Sequence, residues 1–259
     1  MSRLAGKIVL ITGASSGIGQ ACAVEYAKHG SHLILAARRL ERLDSLKSTF
    51  AKDYPSVKVH ALKLDVRNKD LVFDAIKSLP KEFKDIDILV NNAGLVIGVD
   101  PLETVSEEAI NTMFDTNVKG LVYVTQAVLP GMKERQRGAI VNISSIAGTE
   151  AYPNGSIYCA TKHAVCAMTK SLRHELVATP INVISIEPGM VETEFSVIRF
   201  GGDKEKADNV YKGLEPLTGQ DIAETVVFAT SRPPHVQIAS MVVFPTNQSA
   251  ATTVYRKPQ

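Results

Sequence analysis

The sequence predicts a doubly wound α/β fold, in which one parallel sheet carries helices on both faces. Two observations lead there. Short apolar, β-branched runs recur along the 259 residues with amphipathic stretches between them, as strands buried on both faces do. The first such run also opens straight into a glycine-rich turn and a helical stretch, the beginning of a strand–helix–strand unit. A hydrophobic content of 45% over this length supplies enough side chains for one core, so residues 1–259 are expected to form a single domain.

The first strand covers residues 7–12, and it leads into Thr12, Gly13, Ala14, Ser15, Ser16, Gly17, Ile18 and Gly19. Residues 20–29 then read as a helix stopped by Gly30. Gly13 suits the tight turn, Gly17 a close approach of backbone to a pyrophosphate, and Gly19 close packing of helix on strand, with phosphates at the helix N-terminus. The spacing is G-x-x-x-G-x-G and not G-x-G-x-x-G, so the assignment leans on the strand–turn–helix setting; an ordinary glycine loop is the alternative.

A second strand over 31–37 ends in Arg38 and Arg39, about where an NAD-selective protein carries an acid for the ribose 2′-hydroxyl. No acid stands at 36–39. Two guanidiniums there suit a 2′-phosphate, so the expected cofactor is NADP; alternatively the pair solvates a helix start beside Glu41. The third strand, 57–64, is followed by Asp65 and Val66, which suit an adenine-side loop or the cap of a helix over 68–76. Strands at 86–90, 138–143, 182–186 and 240–244 complete the sheet, whose ligands gather beyond the strands' carboxyl ends. Residues 191–219, with Phe200-Gly-Gly-Asp203 and Lys204-Glu-Lys206, are the least regular stretch and read as a substrate lid or a solvated helical insertion.

Tyr158 and Lys162 stand at i and i+4 in a helical stretch, so they share one face. A free tyrosine titrates near ~10, and a neighbouring ammonium favours its phenolate. An exposed Tyr–Lys pair has the same spacing. A hydride leaves a carbon bearing an alcohol only as the alcohol proton is removed, so a base must reach the oxygen that another hydroxyl, here Ser145, positions. Ser145 as a strand-end turn residue and Asn117 as a buried amide serving the backbone are the alternatives.

Thr12 to Gly19, Asn91-Asn92-Ala93-Gly94, Ser145 with Tyr158-x-x-x-Lys162, and Pro188-Gly189 together resemble the short-chain dehydrogenase/reductase family over nearly the whole chain. The resemblance implies a Rossmann-like fold and hydride transfer with NADP(H). It implies that Ser145 hydrogen-bonds the substrate oxygen, Tyr158 exchanges a proton with it, Lys162 lowers the tyrosine pKa and holds the nicotinamide ribose, and Asn117 anchors a relay water. Around the cofactor it places Ser15, Ser16 and Ile18 of the turn, Asn92, Ala93 and Gly94, and Pro188, Gly189, Val191 and Thr193.

Within that family, Glu194 to Asp203, Lys206 to Tyr211 and Phe244 to Ser249 are similar to the NADP-dependent 3-hydroxy acid dehydrogenases acting on serine and allo-threonine, fungal members especially. That similarity implies oxidation of short 3-hydroxy acids such as 3-hydroxypropionate, the reverse reduction of malonic semialdehyde, and a homotetramer. Arg199 is the candidate carboxylate clamp, unless it pairs with Glu194 or Asp203. A general NADPH-dependent carbonyl reductase and a non-catalytic NADP-binding or assembly protein are the alternatives. The intact Ser145, Tyr158 and Lys162 argue against the second.

Composition narrows the class further. Twenty-nine basic and 27 acidic residues are interspersed and leave a net charge of +2, which gives no reason to expect nucleic acid. No apolar run approaches the roughly 18 residues of a membrane span, and the N-terminal residues lack a signal-peptide core, so no membrane partner and a cytoplasmic location are expected. Cys22, Cys159 and Cys166 are an odd set without metal-ligand spacing; they suit reduced core thiols, and no metal is expected.

Overall fold

The computed structural model describes residues 2–257. Its strands are β1 (Ile8–Thr12), β2 (His32–Ala37), β3 (Val59–Lys63), β4 (Ile88–Asn91), β5 (Gly138–Ile143), β6 (Ile181–Pro188) and β7 (Ser240–Val243). They form one sheet in the order β3-β2-β1-β4-β5-β6-β7, and every pairing is parallel. The helices are α1 (Gly17–Lys28), α2 (Leu40–Asp53), α3 (Lys69–Lys77), α4 (Glu107–Phe114), α5 (Leu121–Glu134), α6 (Ser156–Glu175), α7 (Glu194–Arg199), α8 (Lys204–Asn209) and α9 (Gly219–Thr230).

The strand period of two explains the two cores. Val9, Ile11, Leu33, Leu35, Val141 and Ile186 point to one face and bury against Cys22 and Tyr26 of α1, Phe50 of α2 and Ile222 and Val226 of α9. Their neighbours Leu10, Ile34, Leu89, Ile140 and Val183 point to the other, where Val72 of α3 and Val124, Val128 and Met132 of α5 cover them. Register locks this partition: Leu10 lies opposite Ile34 on one side and Leu89 on the other, and a slip of one residue would turn each strand inside out.

Beyond β1 the chain crosses to β2, whereas β4 leads on to β5, so the connections diverge at the carboxyl ends of β1 and β4 and open a crevice there. The expected strands all form, β5 at its expected bounds and the others with ends within two residues of expectation. The first helix begins at Gly17, three residues earlier than expected, because Gly17 turns the chain at φ +53°, a conformation open to glycine. Residues 191–219 are more regular than expected: Thr193 caps α7, Asp203 caps α8, and Thr218 with Asp221 forms a capping box on α9. Between α4 and α5 the helix widens into a π turn over Asp115–Gly120.

Candidate active site

The glycine turn is fixed by its neighbours at the end of β4. Thr12 Oγ1 accepts hydrogen bonds from the backbone N–H groups of Asn92 and Ala93, both at 3.0 Å, and Asn92 Nδ2 donates back to the carbonyls of Thr12 and Gly13. A Cβ on Gly19 would stand 2.5 Å from both Gly13 O and Asn92 Nδ2, so no side chain fits where α1 crosses the turn. Ser16 occupies the N-cap of α1, yet its side chain does not cap it. Its hydroxyl accepts from Arg39 Nη2 at 2.9 Å instead, leaving the first-turn N–H groups without a side-chain acceptor at the positive end of the helix dipole. That arrangement fits a dinucleotide diphosphate.

Arg39 is the N-cap residue of α2, and its side chain turns back from the end of β2 into the crevice. Its Nε and Nη2 donate to Ser15 Oγ at 3.2 and 3.0 Å, and its Nη1 donates to Glu194 at 3.0 Å. Arg42 donates to both oxygens of the same carboxylate, at 2.7 and 2.9 Å. Arg38 is exposed on the rim and makes no side-chain hydrogen bond among the described residues. Asp65 does not cap the following helix. Asn68 does, accepting from Leu71 N, while Asp65 takes a forked contact from Arg67, which holds its carboxyl below the usual range. Asp65 and Val66 line the crevice next to Arg38.

The candidate catalytic residues come from β5, the π turn and α6. Ser145 caps a short turn over Ile146–Gly148 by accepting from Ala147 N, and it directs its proton to Pro188 O at 3.5 Å, a bond long enough to yield to a substrate oxygen. It is thus a strand-end turn residue as well as a member of the site. Tyr158 is 8% exposed and meets Phe195 edge to face at 5.8 Å. Burial pushes its phenol above the ordinary value and the neighbouring Tyr152 adds to that, against the nearby Ser145 hydroxyl and the charge of Arg199.

Lys162, 6% exposed, donates to the carbonyl of Ile143 at 2.9 Å, and its Nζ stands 5.8 Å from the Tyr158 ring centroid. Burial lowers its ammonium to about 8. The expected lowering of the Tyr158 pKa by Lys162 is therefore not what this structure shows, because desolvation dominates both groups and the cation acting on the phenol is Arg199. Asn117 is spent on the protein: its amide accepts from Leu95 N and donates to Leu95 O and Thr161 Oγ1. It pins the loop after Asn92-Ala93-Gly94, as the buried-amide alternative has it.

Arg199 reaches the crevice from the end of α7. Neither alternative partner takes it, since Glu194 is held by Arg39 and Arg42 and Asp203 pairs with Lys206. Its Nε is buried without a hydrogen-bond partner among the described residues, a state that asks for an acceptor from elsewhere. Four further residues of the site were given no role of their own by the sequence. Tyr152, its phenol pushed up to about 12 by burial, lines the crevice near Arg199 and Tyr158. Tyr211 donates to Val191 O at 2.8 Å and accepts from Ser196, tying α7 to the segment after α8. Gln248 bonds Met190 N and stands where a Cβ on Gly189 would be, 2.3 Å away. The fourth is Glu194.

Gly13, Ser15, Ser16, Gly17, Ile18, Arg38, Arg39, Asp65 and Val66 thus line the same cavity of about 700 Å³ as Asn92, Ala93, Gly94, Ser145, Tyr158, Lys162, Pro188, Gly189, Val191, Thr193 and Arg199. Gly19 and Asn117 stand behind its wall. The size suits a dinucleotide with a small substrate.

Residues 7–200 match the family described as short chain dehydrogenase. An NADP-dependent 3-hydroxy acid dehydrogenase of Schizosaccharomyces pombe is 50% identical over 258 residues, 99% of each chain. A serine 3-dehydrogenase of Agrobacterium fabrum is 42% identical over 250 residues, covering 96% of this chain and 98% of its own. The closed form of a serine dehydrogenase complexed with NADP+ superposes with a TM-score of 0.90 at 43% identity, covering 96% of this chain and 100% of that one.

Proposed function

The chain belongs to the short chain dehydrogenase family, and from that premise we propose that it is an NADP-dependent dehydrogenase of short 3-hydroxy acids, serine and 3-hydroxypropionate among them. The observation that carries the substrate class is the buried Nε of Arg199, without a partner among the described residues, in the crevice that holds Ser145, Tyr158 and Lys162. A carboxylate satisfies a planar guanidinium with two parallel hydrogen bonds, and the remaining length of a 3-hydroxy acid then brings its hydroxyl toward Ser145 and Tyr158.

NADP+ held along the glycine turn, Arg38 and Arg39 would supply the acceptor for the hydride on the carbon that carries the hydroxyl. The protein's part is proton management and orientation. Ser145 holds the substrate oxygen, and Tyr158 takes its proton during oxidation and returns one during reduction. A buried phenol keeps its proton at neutral pH and is ready to donate to a carbonyl; in the other direction the neighbouring Ser145 hydroxyl and the charge of Arg199 favour its ionised form. Lys162, released from Ile143, is the group for the nicotinamide ribose. Asn117 fixes the Leu95 loop from within the π turn, and its part in holding a relay water is what the family resemblance implies. Residues 191–219 act as the lid, since both ends of α7 reach into the crevice.

Three buried unpaired thiols support a reducing, cytoplasmic location. Val242 on the edge strand and Phe228 on the neighbouring α9 are nearly half exposed, and such an apolar edge supports a homotetramer. The substrate test is a panel of serine, allo-threonine, 3-hydroxyisobutyrate, 3-hydroxypropionate and simple secondary alcohols, followed by NADPH absorbance. Activity on the alcohols with none on the acids would move the assignment to a general carbonyl reductase.

A further inference from the structure

Glu194 sits where two functions meet. It is the first residue of α7, and α7 ends in Arg199, about 7.5 Å further along the axis at 1.5 Å per residue. Its carboxylate is shared by two arginines: Arg39 gives it one hydrogen bond at 3.0 Å, and Arg42 touches both of its oxygens at 2.7 and 2.9 Å. Arg39 is also the guanidinium that bridges Ser15 and Ser16 of the glycine turn. The contact joins residues 155 apart in sequence and closes the adenine end of the crevice with a negative charge.

A second anion cannot share Arg39 with this carboxylate at no cost. Like charges a few ångströms apart repel, and an arginine engaged by one anion has fewer N–H groups for another. Arg42 offers a second position, because it already contacts both carboxylate oxygens and would hold Glu194 if Arg39 were taken away. We propose that Glu194 is a positioning residue that competes with the cofactor's 2′-phosphate for Arg39, so that the phosphate moves Glu194 onto Arg42 alone and shifts the helix that carries Arg199. The inference rests on the reading that Arg38 and Arg39 receive the 2′-phosphate. It adds that the phosphate is felt at the substrate anchor. A cofactor without it leaves Glu194 on Arg39 and the helix where it is.

The test uses nucleotide fragments and no turnover. Calorimetric titration of the full-length protein with 2′,5′-ADP and 5′-AMP at low ionic strength, for the unmodified chain and Glu194→Gln, measures the competition. Glu194→Gln is expected to bind 2′,5′-ADP about two- to fivefold more tightly, the range for a partly exposed ion pair, with 5′-AMP unchanged. The gain should shrink at high salt. Unchanged or weaker binding of 2′,5′-ADP by Glu194→Gln would overturn the competition, weaker binding meaning that Glu194 preorganises Arg39. Hydrogen exchange of residues 195–199 measures the coupling in the unmodified chain, where 2′,5′-ADP should alter exchange and 5′-AMP should not. Equal responses to the two nucleotides would overturn it. Arg39→Met separates this idea from its premise: if it still prefers 2′,5′-ADP over 5′-AMP by the original margin, the phosphate is not on Arg39 and both fail.

Discussion

Lys162 donates its hydrogen bond to the carbonyl of Ile143 at 2.9 Å and not to the phenol four residues before it. The two side chains share a face of α6, as i and i+4 residues must, yet a buried ammonium takes the acceptor that best replaces water, and the strand-end carbonyl lies within reach. Burial disfavours the charged form, so the midpoint falls from the ordinary 10.5 to about 8. Without nucleotide, the cation is present below that midpoint and lost above it. A carbon-13 NMR titration of the lysine side chains should show one resonance titrating near 8 that disappears in Lys162→Met. A Lys162 midpoint at or above 10.5 would contradict the burial argument.

Tyr158→Phe keeps the ring that packs on Phe195 and removes the transferable proton. Cofactor binding should survive, while kcat falls about 100- to 10,000-fold, the range for loss of a general acid–base group. Fluorescence titration with NADPH and steady-state rates separate the two effects. Wild-type turnover would take Tyr158 out of the proton transfer.

Replacing Arg38 and Arg39 together by methionine removes both positive charges from the end of β2. NADP should lose about 1.5–3 kcal/mol of binding, or about ten- to 150-fold in kcat/KM, with NAD little changed. Equal losses for both cofactors would show that the pair serves the fold or a phosphate common to both.

Arg199→Met preserves much of the length and removes the charge and the fork. KM for serine or 3-hydroxypropionate should rise about ten- to 150-fold, because a charge-assisted hydrogen bond is lost, while an uncharged secondary alcohol is nearly indifferent. Parallel changes for both substrates would assign Arg199 to packing of the lid.

The sheet was legible because its strands advertise themselves: Ile8 to Thr12 and Gly138 to Ile143 are too short and too β-branched for helices, and the turn after β1 has glycines where nothing larger fits. The Ser145, Tyr158 and Lys162 set was legible through spacing and order. What those three do to one another was not, since spacing gives a shared face while the pKa follows from burial. Glu194 opens a stretch that carries the family similarity, but its pairing with Arg39 and Arg42 gave no signal. Its partners lie 155 and 152 residues away, and only the folded crevice brings a lid carboxylate onto the arginines of β2 and α2. Tyr152 is a similar case, an ordinary residue whose importance comes from the wall it completes. The π turn around Asn117 escapes the sequence for another reason: one misplaced backbone hydrogen bond leaves the apolar pattern of α4 and α5 intact.

The divergence of the chain at β1 and β4 also divides it for recombination. Gly13, Arg38, Arg39, Asp65 and Arg67 all precede Asn91, on the β3-β2-β1 side, whereas Ser145, Tyr158, Lys162 and Arg199 all follow it. A crossover placed between β4 and α4 would therefore exchange adenine-end preference as one genetic block and leave substrate choice with the other parent. Glu194 is the residue that spans the seam, because it travels with the second block and answers to arginines in the first. A shuffled library built at this junction should keep its functional members where position 194 and positions 39 and 42 descend from compatible parents.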